Sequence, residues 1–227
     1  MITYSSQKFN KIYKKINEIL VKNNININDA EQNLSGSIIE EVQVYCQNIL
    51  ESADKFLSVP CPKCGQTHLE HFSSNYQRNV IFRIGNILLT VTISVSRLKC
   101  GNCNSTHALL PDFCIPLKQY SKQAVLSIVK DAVATSTEKV SSKLNIDQKQ
   151  VRRFVNVVKT NKNNVLLIYH KNPKEFKSQL NDKSTIAEII NSLSDKFSEE
   201  FFKEFGITFL YEKNKRKLYM QYSKLSM

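Results

Sequence analysis

The chain has 227 residues, of which 41% are hydrophobic, so it can bury substantial cores and is not disordered throughout. No apolar run approaches the roughly 18 residues of a membrane span, and the first residues lack the apolar block of a secretory signal. These features predict a soluble, cytoplasmic protein that makes no membrane contact. The net charge of +12 favours a negatively charged partner.

The positive charge is concentrated in the middle of the chain. Residues 121–172 carry 10 basic and 3 acidic side chains, whereas the first 60 residues are close to neutral. A localised positive field most often faces a polyanion, and nucleic acid is the commonest one. A lysine-rich surface that only aids solubility is the alternative interpretation.

Residues 1–58 predict a helical hairpin. Apolar residues recur at helical spacing in 9–20 and again in 38–57, and the stretch 23–36 between them is polar. Two such stripes bury each other or the same stripes of a second chain, so we expect a homodimer through residues 5–57. A hairpin that packs on its own chain is the alternative.

Residues 59–118 predict a zinc ribbon with a β-hairpin. Two prolines end the preceding helix, and the composition changes to cysteine, glycine and β-branched residues. The runs 80–84 and 87–95 flank Gly85-Asn86, a two-residue turn that is typical of a β-hairpin.

The strongest pattern is a pair of C-x2-C units, Cys61 with Cys64 and Cys100 with Cys103. Each unit forms a tight knuckle, and a hairpin between the knuckles can bring four thiolates around one Zn²⁺. Disulfides and a redox motif are disfavoured in an intracellular chain without a βαβ pattern. Four protein ligands leave no place for a substrate, so the predicted zinc is structural.

A histidine follows each knuckle at the same distance, which gives C-x2-C-x3-H twice, with His68 and His107. Six donors therefore compete for four positions. Four thiolates are favoured by softness and symmetry, and each histidine is expected beside the site or on the surface. Replacement of a cysteine ligand by one of them stays open. Cys46 and Cys114 lie among apolar residues and are expected in cores.

Residues 119–165 predict a helix-turn-helix. Ser121 begins the first helix, and Thr135 with Glu138 fits a capping box for the second. Asn145 tolerates the left-handed conformation of a tight turn, and Asp147 can cap the third helix. Three helices with a tight turn between the last two is the helix-turn-helix order.

The predicted helix-turn-helix has an apolar helix crossing, and the other side of its third helix is polar. Small or apolar residues occupy the positions where the helices cross, namely Val140, Ser141, Leu144, Ile146, Val151 and Phe154. The polar side carries the candidate contacts to double-stranded DNA: Gln148, Lys149, Arg152, Arg153, Asn156 and Lys159. Such side chains can read base edges or hold phosphates. A three-helix core with a solvated basic face is the alternative.

Residues 166–227 predict a helical C-terminal segment, with a helical block over 173–205 and a short hairpin near Lys213-Asn214. The whole chain is therefore predicted to be α+β and mainly α. Its expected order is helical hairpin, zinc ribbon, helix-turn-helix and helical C-terminal part.

The run L-K-C-G-N-C-N-S-T-H-A-L-L-P-D-F-C-I-P at 98–116, the earlier C-P-K-C and the following helical unit resemble a bacterial family of clostridia and bacilli. That family combines a zinc ribbon with a helix-turn-helix and is similar to the N-terminal DNA-binding region of insertion-sequence transposases. The resemblance covers about residues 58–160. It implies a zinc-dependent, nucleoid-associated DNA binder linked to mobile elements, with the metal held by Cys61, Cys64, Cys100 and Cys103.

Only 67 residues follow Thr160, fewer than an RNase H-like catalytic domain needs, and their acidic residues lie on one helical block. We therefore expect no enzymatic activity, but sequence-selective DNA binding stabilised by zinc. The alternatives are an RNA- or protein-binding zinc-ribbon adaptor and the recognition subunit of a split transposase that works with a separate recombinase.

Overall fold

A computed structural model describes residues 27–73, 75–172 and 180–193, together with residues 176, 197, 200, 201, 204, 209, 210, 220 and 221. The fold is α+β, with helices and two small sheets. The predicted helix over 9–20 and the predicted hairpin at Lys213-Asn214 lie outside these residues. Among the described helices, none combines the length and the apolar character of a membrane span.

The described residues form two compact units. The first contains the chain up to Gln119 and the short strand at residues 220–221. The second begins at Tyr120. The first unit holds the four cysteines of the C-x2-C pairs, and the second holds the basic helical region.

Helix α1 spans Ile27–Glu51 and is followed by a 3₁₀ turn, Ala53–Phe56. The described helix includes residues 27–36, which belong to the polar stretch 23–36 of the sequence. A polar composition alone does not stop a helix that has no proline. The buried residues recur at helical spacing on one face: Ile38, Val42, Tyr45, Cys46 and Ile49.

The predicted β-hairpin forms from β2 (Tyr76–Ile84) and β3 (Ile87–Val95). The strands are antiparallel from Tyr76 opposite Val95 to Ile84 opposite Ile87. Gly85 in the turn has φ of 57°, which an L side chain rarely adopts. Alternate residues are buried on one face, namely Val80, Phe82, Ile84, Val91, Ile93 and Val95.

The buried faces of α1 and the hairpin share one hydrophobic core. Phe113 joins it, with its ring centroid 5.3 Å from that of Phe82 and 5.8 Å from that of Tyr45. Cys46 and Cys114 are buried in this core, as predicted. The apolar stripe of α1 therefore packs on its own chain. The homodimer stays a prediction, because the other stripe, 9–20, lies outside the described residues.

A second sheet has the order β1–β4–β5–β6, formed by β1 (Leu69–His71), β4 (Arg97–Cys100), β5 (Thr106–Leu110) and β6 (Met220–Gln221). β4 is antiparallel to both β1 and β5, whereas β6 is parallel to β5. The predicted hairpin lies between the two C-x2-C units along the chain and forms a sheet of its own. The short strands β1 and β4, which the sequence did not predict, pair beside the cysteines.

The second unit begins with α2 (Lys122–Ala134), α3 (Thr137–Leu144) and α4 (Gln148–Thr160). The Ser121 side chain caps α2 by accepting the N–H of Ala124. Ser136, and not the predicted Thr135, caps α3. Thr135 instead ends α2, where its hydroxyl donates to the carbonyl of Asp131.

Helix α5 (Lys162–Lys171) and the short α6 (Ile186–Ser192) follow. Residues 180–185 are not helical, so the predicted block over 173–205 was wrong there. The Thr185–Glu188 capping box starts the helix later than predicted. Five aromatic rings pack together on this side of the unit: Tyr169, Phe176, Phe197, Phe201 and Phe209.

Candidate metal centre and basic helix

The two C-x2-C units adopt the same knuckle. In the first, the N–H of Gly65 donates to the carbonyl of Cys61 at 2.8 Å, and in the second the N–H of Asn104 donates to that of Cys100 at 2.8 Å. Gly65 and Asn104 both have positive φ, 75° and 57°. Glycine and asparagine tolerate this conformation best, so the sequence encodes both turns.

The strands hold the knuckles together. Leu69, at the start of β1, lies opposite Cys100, at the end of β4. The N–H of Gly101 donates to the carbonyl of His68 at 2.9 Å and extends this pairing into the second knuckle. An antiparallel pair of short strands therefore places the two C-x2-C loops at one end of the sheet.

The four sulfur atoms converge as a metal site requires. The Sγ atoms of Cys61, Cys64, Cys100 and Cys103 all lie within 4.8 Å of one another. Cys61 Sγ is 3.7 Å from Cys103 Sγ, and Cys64 Sγ is 3.6 Å from Cys100 Sγ. Ligands at the corners of a tetrahedron with metal–sulfur bonds of about 2.3 Å lie about 3.8 Å apart. The four predicted cysteines therefore fit one tetrahedral metal ion.

The surroundings of the thiols differ. Burial raises the pKa of the Cys61 thiol to about 11. Hydrogen bonds from the side chain and backbone of Ser105 lower the pKa of the Cys103 thiol to about 6, and the backbone N–H of Gln66 lowers that of Cys64. Sequence reasoning did not identify Ser105, although a serine two residues after a knuckle cysteine is the available signal.

The two histidines of the repeated C-x2-C-x3-H pattern occupy different positions. His107, on β5, is buried, and its Nε2 lies 3.3 Å from Cys61 Sγ. His68 is exposed, and its ring covers Gly101 so closely that a Cβ there would lie 2.3 Å from its Cδ2. Neither belongs to the set of ligand atoms that all lie within 4.8 Å of one another.

A tight turn joins α3 to α4 in the second unit. Asn145 has φ of 51° and ψ of 49°, the left-handed conformation that the sequence predicted. The hydroxyl of Ser141 donates to the carbonyl of Ile146, and the side chain of Asp147 accepts the N–H of Lys149 to start α4. The turn is therefore fixed by hydrogen bonds from both helices.

Helix α4 has one apolar and one polar side. The apolar residues Val151, Phe154, Val155, Val157 and Val158 are buried. Of the predicted DNA contacts, five are exposed: Lys149, Arg152, Arg153, Asn156 and Lys159. Gln148 is half-buried, and its amide nitrogen lies 3.5 Å from the hydroxyl of Thr137. The structure thus brings the predicted contacts together on one helix.

Residues 61–154 match the family model described as a domain of unknown function (DUF6431). The chain has no significant match among curated proteins or among solved structures. The matched region begins at the first cysteine of the metal site and ends within α4. It therefore includes the whole four-cysteine centre and the α3–α4 turn.

Proposed function

We propose that this chain is a zinc-stabilised, non-enzymatic protein that binds double-stranded DNA with sequence selectivity. The main support is the two-sided character of α4. One side, of valine and phenylalanine, is buried, and the other side exposes lysine, arginine and asparagine. A helix anchored on one side by a core can present the other side to a groove.

The metal part of the proposal rests on the donor set. Four thiolates in tetrahedral positions favour Zn²⁺ among the abundant divalent ions. Cys61, Cys64, Cys100 and Cys103 would hold it, and the ion would supply cross-linking rather than chemistry, because four protein ligands fill its coordination shell. The small apolar cluster around the knuckles, with Phe56, Leu98 and Leu109, depends on this cross-link.

The nucleic-acid part rests on α3, the left-handed turn and α4. This sequence of elements supports a helix-turn-helix in which α4 enters the major groove. Arginine and glutamine can pair bidentately with base edges there, whereas lysines hold phosphates. Gln148 and the two arginines are therefore the candidates for sequence reading, and Lys149 and Lys159 are the candidates for affinity.

The family resemblance adds a biological setting. It supports a role with mobile elements, either as the recognition part of a transposition system that includes a separate recombinase or as a regulator. Binding of structured RNA or of a protein instead of DNA would indicate the adaptor alternative. Copurification with a recombinase would favour the split-transposase role.

The test uses the full chain purified with zinc and a pool of random duplexes, with structured RNA as competitor. We expect enrichment of a defined duplex motif that excess RNA does not displace. Replacing Arg152 and Arg153 together by alanine should abolish the enrichment. Replacing the exposed Lys55 and Lys183 together, both outside α4, removes the same number of charges and provides the control. No enriched motif, or preferential binding of RNA, would overturn the proposal.

A further inference from the structure

Among the four cysteines, Cys61 is buried, so the negative charge of its metal-bound thiolate needs hydrogen-bond donors. Its side chain is buried beside apolar residues of the knuckle cluster, including Leu69 and Leu98. A thiolate bound to a divalent ion keeps much of its negative charge, and burial removes the water that would solvate it. The N–H of Lys63 approaches Cys61 Sγ at 3.4 Å and supplies one hydrogen bond from the same knuckle.

The backbone N–H of Cys64 also donates to this thiol from the same knuckle. A further donor comes from the strand that follows the second knuckle. His107 lies on β5 and pairs with Leu98 on β4, which places its ring inside the sheet's buried face with only 4% of the residue exposed. Its Nε2 is 3.3 Å from Cys61 Sγ, the distance of a hydrogen bond to sulfur. We infer that His107 is a positioning residue that donates its Nε2–H to the Cys61 thiolate of the metal-loaded centre.

His107 acts here as a donor and not as a ligand. The four sulfur atoms already have the mutual spacing of a tetrahedron, and His107 does not belong to that set. A neutral imidazole that donates to a ligand fixes the orientation of that ligand and withdraws charge from the sulfur. The contact also crosses between knuckles, so it ties β5 to the first C-x2-C unit.

The repeated C-x2-C-x3-H pattern supplies a matched control. His68 occupies the equivalent place after the first knuckle but is exposed and covers Gly101. The two histidines have the same spacing from their C-x2-C units, and the structure assigns the donor role to the buried one. Substitutions at the two positions should therefore differ in their effect on the metal.

The experiment measures metal affinity by chelator competition in the full chain loaded with zinc. His107→Phe keeps a ring but removes the donor, and we expect it to weaken metal binding about 10- to 100-fold. His107→Gln keeps an N–H, and its affinity should stay within about tenfold of the original. His68→Gln should leave the affinity unchanged. Equal affinity for His107→Phe and His68→Gln would overturn the inference.

Two spectroscopic readouts keep the test decisive if His107→Phe does not fold. In the unsubstituted zinc protein, ¹⁵N spectra of the histidine rings must show a proton on Nε2 of His107, and a bare Nε2 would contradict the inference. With Co²⁺ in place of zinc, the ligand-field bands must indicate four sulfurs both before and after His107→Gln. Bands of three sulfurs and one nitrogen in the unsubstituted protein, altered by His107→Gln, would show that His107 is itself a ligand.

This inference rests on the metal part of the proposed function and is independent of DNA binding. If the unsubstituted chain binds no metal, the metal proposal itself fails. If it binds metal and the two histidine positions behave alike, only the role of His107 fails.

Discussion

The hydroxyl of Ser141 donates to the backbone carbonyl of Ile146 across 2.6 Å and closes the turn between α3 and α4. The donor lies on α3 and the acceptor lies just before α4, on the far side of the left-handed Asn145. The hydrogen bond therefore fixes the direction in which α4 leaves the turn. A residue larger than serine would not leave room for this contact at the crossing of two helices.

Ser141→Ala removes this hydrogen bond, and we expect it to lower the free energy of unfolding of the second unit by about 1 kcal/mol. The neighbouring Ser142 is exposed, so Ser142→Ala provides the control and should change stability by less than about 0.5 kcal/mol. Urea unfolding followed by circular dichroism measures both. Equal effects would show that the Ser141 hydroxyl does not stabilise the turn.

Cys100→Ser removes one of the two fully buried ligands of the metal site. We expect loss of the bound metal and unfolding of the ribbon, because metal binding and folding are coupled in so small a core. Cys46→Ala removes a cysteine that is also buried but lies in the core between α1 and the hairpin, and it should keep one metal per chain. Elemental analysis of both proteins gives the comparison. A metal-free Cys100→Ser protein with its original stability would contradict the prediction.

Ser105→Ala should make metal binding more sensitive to acid. Ser105 lowers the pKa of Cys103 to about 6, so this thiol is already ionised at pH 7 and needs to release no proton to bind metal. Alanine removes the side-chain hydrogen bond, the larger cause, but keeps the backbone N–H of residue 105. The pKa of Cys103 therefore rises part of the way toward the ordinary value of about 8.5, and proton release opposes binding at pH 7. We expect an affinity loss of up to about tenfold at pH 7 and almost none at pH 9. A loss of the same size at both pH values would indicate a structural effect.

Much of the metal site was predictable because it depends on local sequence. The C-x2-C spacing determines the knuckles, and the glycine or asparagine that follows each one permits the positive φ. The Gly85-Asn86 turn, the caps at Ser121 and Asp147 and the left-handed Asn145 are likewise encoded within a few residues.

The arrangement of the sheets was not predictable in the same way. β1 has three residues, too few for a periodic pattern, so its pairing with β4 gave no sequence signal. The roles of His68 and His107 also could not be distinguished, since both follow a C-x2-C unit at the same spacing and directly after a threonine. The difference depends on tertiary packing, which buries β5 and leaves the residue before β1 exposed.

The stretch 27–36 and the α3 cap show what short-range signals leave undecided. Residues 27–36 contain no proline, and they belong to the same helix as the buried Ile38. Thr135 and Ser136 can each cap a helix, and the chain uses Ser136 because Thr135 satisfies a carbonyl at the end of α2. Which of two adjacent capping residues starts a helix therefore depends on how the preceding helix ends.

Sequence reading by α4 can be measured with single alanine substitutions, each assayed on the preferred duplex and on random duplex at several salt concentrations. If Arg152 or Arg153 reads a base, its replacement by alanine should weaken binding to the preferred duplex by about 1–3 kcal/mol and remove the base preference at one position. Lys139→Ala, at an exposed site on α3, should weaken all sequences alike and reduce the salt slope by about one unit. Equal losses for every Lys and Arg substitution between 122 and 171, with no sequence preference, would show that α4 does not read sequence.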